Sequence, residues 1–152
     1  TAVTGNPFTY YSGNYSIQVF YLLNPTTGSG KTLAVTNTNG NNVHAAVTYY
    51  RGVTSLGSAT SVSNGAGGQQ LSLAVSSTNS NYLYVNAFAF RPTTTWDSIT
   101  AYGQTQRIEY PCFSYDLPIV VGDSVGNGGT LTFTGTRNNT TYEWGGVAIP
   151  LQ

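Results

Sequence analysis

Apolar residues in this chain recur at every second position within short runs, and Gly, Asn and Pro interrupt the runs about every ten residues. This spacing predicts strands over Ser16–Leu23, Lys31–Thr36, Val43–Tyr50, Ser58–Ser63, Gln70–Ser76, Tyr82–Phe90, Gly103–Tyr110, Phe113–Val121, Thr130–Thr136 and Tyr142–Pro150. No window places its apolar residues at helical spacing, and no linker divides the chain. The pattern predicts an all-β protein, an antiparallel two-sheet sandwich of jelly-roll type with about nine or ten strands. The first fifteen residues stand apart: they are turn-rich, with apolar stretches only at Val3 and around Phe8 to Tyr11. Two units follow, an N-terminal segment over 1–15 that pairs weakly in its own sandwich or is exchanged with a neighbour, and a sandwich domain over 16–152.

Two runs sharpen the picture. Asn39-Gly40 lies between Lys31–Thr36 and Val43–Tyr50, and both residues tolerate positive φ, so it signals a hairpin turn. In Tyr82–Phe90, Leu83, Val85, Ala87 and Ala89 share one face, while Tyr82, Tyr84, Asn86, Phe88 and Phe90 share the other. Such a strand is expected to be covered on both faces, its aromatic face outward against another subunit. Phe88 and Phe90, with Val3, Phe8, Tyr10 and Tyr11 of the N-terminal segment, are therefore the candidate assembly contacts.

Composition then excludes several classes. The 152 residues carry net charge zero and only 7% charged residues, yet include 12 Tyr, 6 Phe and 2 Trp. Disordered chains have the opposite balance. Lys31, Arg51, Arg91, Arg107 and Arg137 are scattered singly, so no basic cluster exists for a nucleic-acid backbone, and no run is long enough to span a membrane. So few charges leave little repulsion between copies, which suits an assembling subunit. The chain opens at Thr1 without a signal-like stretch, so a processed product or fragment of a secreted protein is expected. Cys112 is the only cysteine and reads as a small buried hydrophobe, since no basic cluster or His neighbours it in sequence.

Candidate chemistry is sparse. Gly28-Ser29-Gly30-Lys31-Thr32 ends like a phosphate-binding loop, but the earlier Gly is missing and a strand rather than a helix is expected next, so it reads as a hairpin turn. His44 is the only histidine and has no partners at chelating or triad spacing. Asp97, Glu109, Asp116, Asp123 and Glu143 show no spacing that pairs two carboxylates. Asp123, Ser124 and Asn127 in a Gly-rich stretch offer oxygen ligands for calcium or, with so few carboxylates, a turn held by Asx bonds. No catalytic, cofactor or metal site is expected. Tyr10, Tyr11, Tyr15, Trp96 and Trp144 are candidates for a sugar-stacking platform or, alternatively, for core and subunit contacts. Asn14, Asn138 and Asn139 begin Asn-X-Ser/Thr sequons and are candidate glycosylation sites.

Val19 to Pro25 (VFYLLNP) followed by Thr27-Gly28, Tyr49-Tyr50-Arg51-Gly52-Val53, Gly103-Gln104-Thr105-Gln106-Arg107, and Trp144 to Ile149 appear in that order. They resemble the motifs of a sandwich domain found in secreted, surface and phage structural proteins of bacteria and archaea. Tyr102 stands where that domain often has Gly, the spacing of the Trp144 tail differs, and the strands that usually precede the first motif are reduced here to a short irregular lead. The resemblance implies a sandwich fold and a surface location, with no catalytic residues to carry over. An open groove in place of the missing strands would invite strand addition. The charge-poor, Tyr/Thr/Asn-rich character is also similar to subunits of archaeal thread-like or bundling-pilus filaments, which polymerise by donating a strand.

The expectation is a non-enzymatic structural subunit of an extracellular filament, cell-surface assembly or virion, its partners being copies of itself and N-linked glycans. A carbohydrate-binding or adhesive module, and a phage decoration or fibre protein, are the alternatives.

Overall fold

The computed structural model describes residues 1–38, 42–77, 79–91, 96–111 and 117–152. The Asn39-Gly40 turn, Cys112 and Asp116 lie outside them. The described chain is all-β, with ten strands: β1 (Phe8–Tyr10), β2 (Tyr15–Ile17), β3 (Thr60–Asn64), β4 (Gln70–Ser77), β5 (Leu83–Phe90), β6 (Ile99–Tyr102), β7 (Thr105–Tyr110), β8 (Ile119–Val125), β9 (Gly129–Arg137) and β10 (Trp144–Leu151). They form a five-stranded sheet in the order β3-β10-β5-β8-β7, a three-stranded sheet in the order β4-β9-β6, and the β1-β2 hairpin. All pairings are antiparallel. The five- and three-stranded sheets form the expected β-sandwich.

The two sheets close over one apolar layer. Leu71, Leu73 and Val75 of β4 and Phe133 of β9 meet Tyr84, Phe88 and Phe90 of β5, Val120 of β8, and Trp144 and Ala148 of β10. Each residue sits at alternate positions on its strand, as the two-residue period requires. Phe88 meets Trp144 edge to face, ring centroids 5.7 Å apart. The aromatic face of β5 is therefore the inner face, and Phe88 and Phe90 are fully buried. The sequence assigned that face outward because both faces of the strand are apolar, so alternation alone could not orient it. Sheet packing selects the side with the larger rings, which fill the space between layers.

The outer face of the five-stranded sheet is covered from within the same chain. Val3, Phe8, Tyr10 and Ile17 pack on Ala89 of β5 and on Val147 and Ile149 of β10. The N-terminus is pinned by bonds from Val3 N to Val19 O and from Tyr21 N to Thr1 O. Val3, Phe8 and Tyr10 are therefore core residues of this molecule, not free contact residues, because their apolar area is already removed from water. The division drawn at 15/16 falls inside β2.

β10 is consequently buried on both faces, and two glycines make this possible. A Cβ on Gly145 would stand 2.8 Å from the Tyr10 ring, and one on Gly146 would stand 2.6 Å from the Phe88 ring. Rings approach the backbone from opposite sides at adjacent residues, which only hydrogen side chains allow.

The end of β9 is anchored by an ion pair. Arg137 and Asp97 are both fully buried; Nη2 and Nε of the arginine donate to the carboxylate, and Nη1 donates to Tyr142 O at 2.8 Å. The guanidinium lies 4.8 Å from the Phe90 ring centre. Burying these charges is tolerable because they are bonded to each other and the guanidinium also meets Tyr142 O and the Phe90 ring.

Candidate assembly surface

Among the described residues, none between 22 and 55 belongs to a strand. Two expected strands, Lys31–Thr36 and Val43–Tyr50, are thus absent as ladders, and Ser16–Leu23 is reduced to β2 plus a single bridge between Phe20 and Ala2. The chain from 42 to 50 nonetheless keeps a strand's alternation. His44, Ala46, Thr48 and Tyr50 are half-buried, whereas Val43, Ala45, Val47 and Tyr49 face solvent.

The buried side of this segment rests on the β7 edge. Shallow crevices run between it and Arg107, Ile108 and Tyr110 of β7. The His44 ring meets Tyr110 edge-on at 4.4 Å. The Tyr50 hydroxyl donates to Asp123 Oδ2 at 2.9 Å. Asp123, buried on β8, also accepts from Arg107 Nε at 2.6 Å and Nη2 at 3.1 Å. Burial pushes the Tyr50 phenol up to about 12, and the Asp123 carboxylate adds to the shift by accepting its proton's hydrogen bond and by its charge.

This places Asp123 differently from the calcium reading. Gly122 to Val125 continue β8 instead of forming a turn, and the carboxylate is committed to Arg107 and Tyr50. Asn127 does hold a turn, its Oδ1 accepting from Gly129 N at 3.0 Å. Glu109 accepts from Ile99 N and Gln106 Nε2, and Glu143 pairs with Arg91. Among the described residues, no three His, Cys, Asp or Glu side chains gather in a way that could hold a metal ion.

Beside exposed polar residues, the stretch 31–50 leaves large apolar side chains in solvent: Leu33, Val35, Val43, Val47 and Tyr49 are between 51% and 71% exposed, and earlier in the chain Phe20 and Leu22 are 64% and 74% exposed. The sequence showed these positions as strand residues but could not show that they would lack a covering layer.

The sheet edges differ in how they are protected. β7 is overlain by 42–50, β6 carries a register shift, and β3 has only five residues. β4 ends the three-stranded sheet with eight residues, pairs only with β9, and contains neither Pro nor a charged side chain. It lacks the common devices that blunt an edge strand.

The sugar-platform candidates separate. Tyr10 and Trp144 are buried, Trp96 is exposed, and Tyr11 and Tyr15 are half-buried neighbours with ring centroids 5.7 Å apart. The Arg91 guanidinium lies 4.5 Å from the Tyr11 ring centre, and Tyr15 stacks on Tyr10. The ring faces a sugar would use are partly taken by these contacts.

The Gly103–Arg107 motif acquires a physical role. It carries the chain from β6 in the small sheet to β7 in the large one. Gly103 N donates to Thr134 O at 3.1 Å, and a Cβ there would collide with the Thr134 hydroxyl. Gln104 Oε1 accepts from Thr134 N at 3.1 Å, and Arg107 locks onto Asp123.

No helix among the described residues is long and apolar enough to cross a membrane. Compared with known proteins, the chain matches no family model, no curated protein and no solved structure. The resemblance drawn on Val19–Pro25 and Gly103–Arg107 therefore rests on those residues themselves.

Proposed function

We propose that this chain is a non-enzymatic structural subunit of an extracellular filament or surface assembly, and that copies of it join by β-strand complementation. The observation that carries this reading is the segment 31–50. It has strand alternation in sequence, forms no ladder among its described residues, and holds Leu33, Val35, Val43, Val47 and Tyr49 out in solvent. Pairing with a second copy would satisfy its backbone and cover those side chains, each worth roughly 1.5–3 kcal/mol when fully buried. The unguarded edge of β4 is the acceptor that fits, since a strand added there meets no charge and no proline. Net charge zero removes long-range repulsion between copies. The aromatic contact assigned to Phe88 and Phe90 passes to Tyr49 and Phe20, which are exposed.

The test is the assembly state of the chain by light scattering and electron microscopy, beside the double variant Val35→Lys, Val47→Lys. The chain is expected to form regular oligomers or fibres, and the variant to remain a folded monomer. A wild-type chain that stays monomeric at high concentration, with the amides of 31–50 protected from exchange, would refute the proposal.

A further inference from the structure

The loop 138–143 between β9 and β10 contains two overlapping sequons, Asn138-Asn139-Thr140 and Asn139-Thr140-Thr141, and the structure treats their asparagines differently. Asn138 is used at both ends of its amide. Its Oδ1 accepts from Ser98 N at 2.9 Å, and its Nδ2 donates to Trp96 O at 3.2 Å. Its backbone N also donates to Ser98 O at 3.2 Å. This side chain holds the 96–98 segment, which carries the buried Asp97 of the Arg137 pair, against the end of β9.

Asn139 has the opposite arrangement. Its Oδ1 accepts from both Thr141 N at 3.0 Å and Thr141 Oγ1 at 3.2 Å. Its Nδ2 donates no hydrogen bond among the described residues. Asn139 is half-exposed, and Thr140 and Thr141 are exposed. The hydroxyl at the third sequon position is thus already folded onto the amide of the first. Two donors on Oδ1 draw electron density from the amide and make the Nδ2 proton easier to remove.

Asn14 is exposed, but its sequon runs into β2. Ser16 pairs with Thr9 in the β1-β2 ladder, and Tyr15 stacks against Tyr10. Among the described residues no hydrogen bond joins the Ser16 hydroxyl to the Asn14 amide, and the backbone of Ser16 is held in a hairpin whose side chains cover the large sheet.

We propose that Asn139 is the glycan acceptor of the folded chain, and that Asn138 and Asn14 are not. The co-reactant is an oligosaccharide activated as a lipid pyrophosphate. Nδ2 forms a bond to the anomeric carbon, the bond from that carbon to the phosphate oxygen breaks, and the lipid pyrophosphate leaves with the electron pair. The Nδ2 proton passes to a base of the transferase. The attached sugar adds a hydrated group to a surface with few charges. This inference is independent of the assembly proposal.

The experiment uses the purified, folded chain, a single-subunit oligosaccharyltransferase that accepts Asn-X-Thr, and its lipid-linked donor. Incorporation is read by intact mass and by peptide mapping. Thr140→Ala destroys only the Asn138 sequon, and Thr141→Ala destroys only the Asn139 sequon. One glycan per chain is expected, mapped to Asn139, retained in Thr140→Ala and lost in Thr141→Ala. Near-ultraviolet circular dichroism of each variant confirms that it enters the assay folded. Glycan on Asn138 or Asn14, retention in Thr141→Ala, or an unmodified wild-type chain would each overturn the assignment.

Discussion

The tripeptide Leu-Ala-Val occurs twice in this chain with opposite fates. In β4, Leu73 and Val75 are 2% and 4% exposed, beneath the large sheet; in the 31–36 run, Leu33 and Val35 are 67% and 58% exposed. Local preference is the same in both places, since the same residues alternate with small polar neighbours. The difference is the partner. β4 pairs along its whole length with β9 and faces the rings of β5, whereas 31–36 is exposed and joins no ladder among the described residues. A strand is stabilised by what lies beside and below it more than by its own residues. The 31–50 segment reads as a strand pair by pattern, yet its described residues form no ladder, whereas the sandwich strands are paired.

That contrast has consequences that can be measured, beginning with the most damaging. Asp97→Ala leaves the Arg137 guanidinium buried without its counter-charge, and the expected loss in unfolding free energy is about 3–5 kcal/mol. Denaturant titration measures it. If the variant unfolds at the wild-type midpoint, the stability of the chain does not reside in the sandwich, and the comparison fails at its root.

Next comes the pair of truncations at the repeated tripeptide. Leu73→Ala removes a side chain from the closed core and is expected to cost about 2–5 kcal/mol. Leu33→Ala is expected to change monomer stability by less than about 0.5 kcal/mol, because the side chain is already in water. The same Leu33→Ala chain should assemble more weakly than wild type by light scattering. Equal losses of monomer stability at the two positions would mean that 31–36 is packed in solution, and would remove the proposed donor.

Smaller again is the effect at the glycine pair of β10. Gly146→Ala sets a methyl group against the Phe88 ring, which is itself held by Trp144, so overpacking is expected to cost about 1–3 kcal/mol. Thermal unfolding of Gly146→Ala measures it, and a wild-type melting temperature would show that the ring has room to move.

The sequence carried the all-β class and most of the sandwich because β4 and β9 alternate between apolar and polar residues, β5 and β10 are short runs rich in apolar residues, and Gly, Asn and Pro punctuate the chain between the runs. It misjudged what depends on facing partners. Gly122 to Val125 are strand because β5 pairs with all four and β7 with the first two, and Ile99–Tyr102, outside every expected strand, forms β6 because β9 supplies an edge. The N-terminal residues were legible as apolar but not as a cover for their own sheet, which needs Gly145 bare so that Tyr10 can approach. The candidate surface was half legible: its pattern was visible, but its exposure is a fact about missing neighbours. The choice of Asn139 over Asn138 was not legible at all, since it rests on how two adjacent amides are bonded.

The mildest perturbation probes one tether between the two regions, the Tyr50–Asp123 hydrogen bond. Tyr50→Phe removes the hydroxyl that holds 42–50 to Asp123, while Arg107 continues to satisfy the carboxylate, so the expected global loss is only about 1 kcal/mol. The local effect should be larger: amides of 42–50 should exchange faster, with those of β4 and β9 unchanged. The tether also gives alkaline pH a defined sign. Tyr50 and Tyr102 are both raised from 10.0 to about 12 by burial, so the folded chain keeps protons that the unfolded chain releases. Their contribution to stability is fully present below pH 10 and is lost as pH rises from 10 through 12. Burial raises the Tyr10 phenol as well, and in that window Tyr50→Phe should lose stability less steeply than wild type, because one of the raised tyrosines is gone. Identical alkaline slopes would show that Tyr50 is free in solution, and that the segment and the sandwich are not joined at this point.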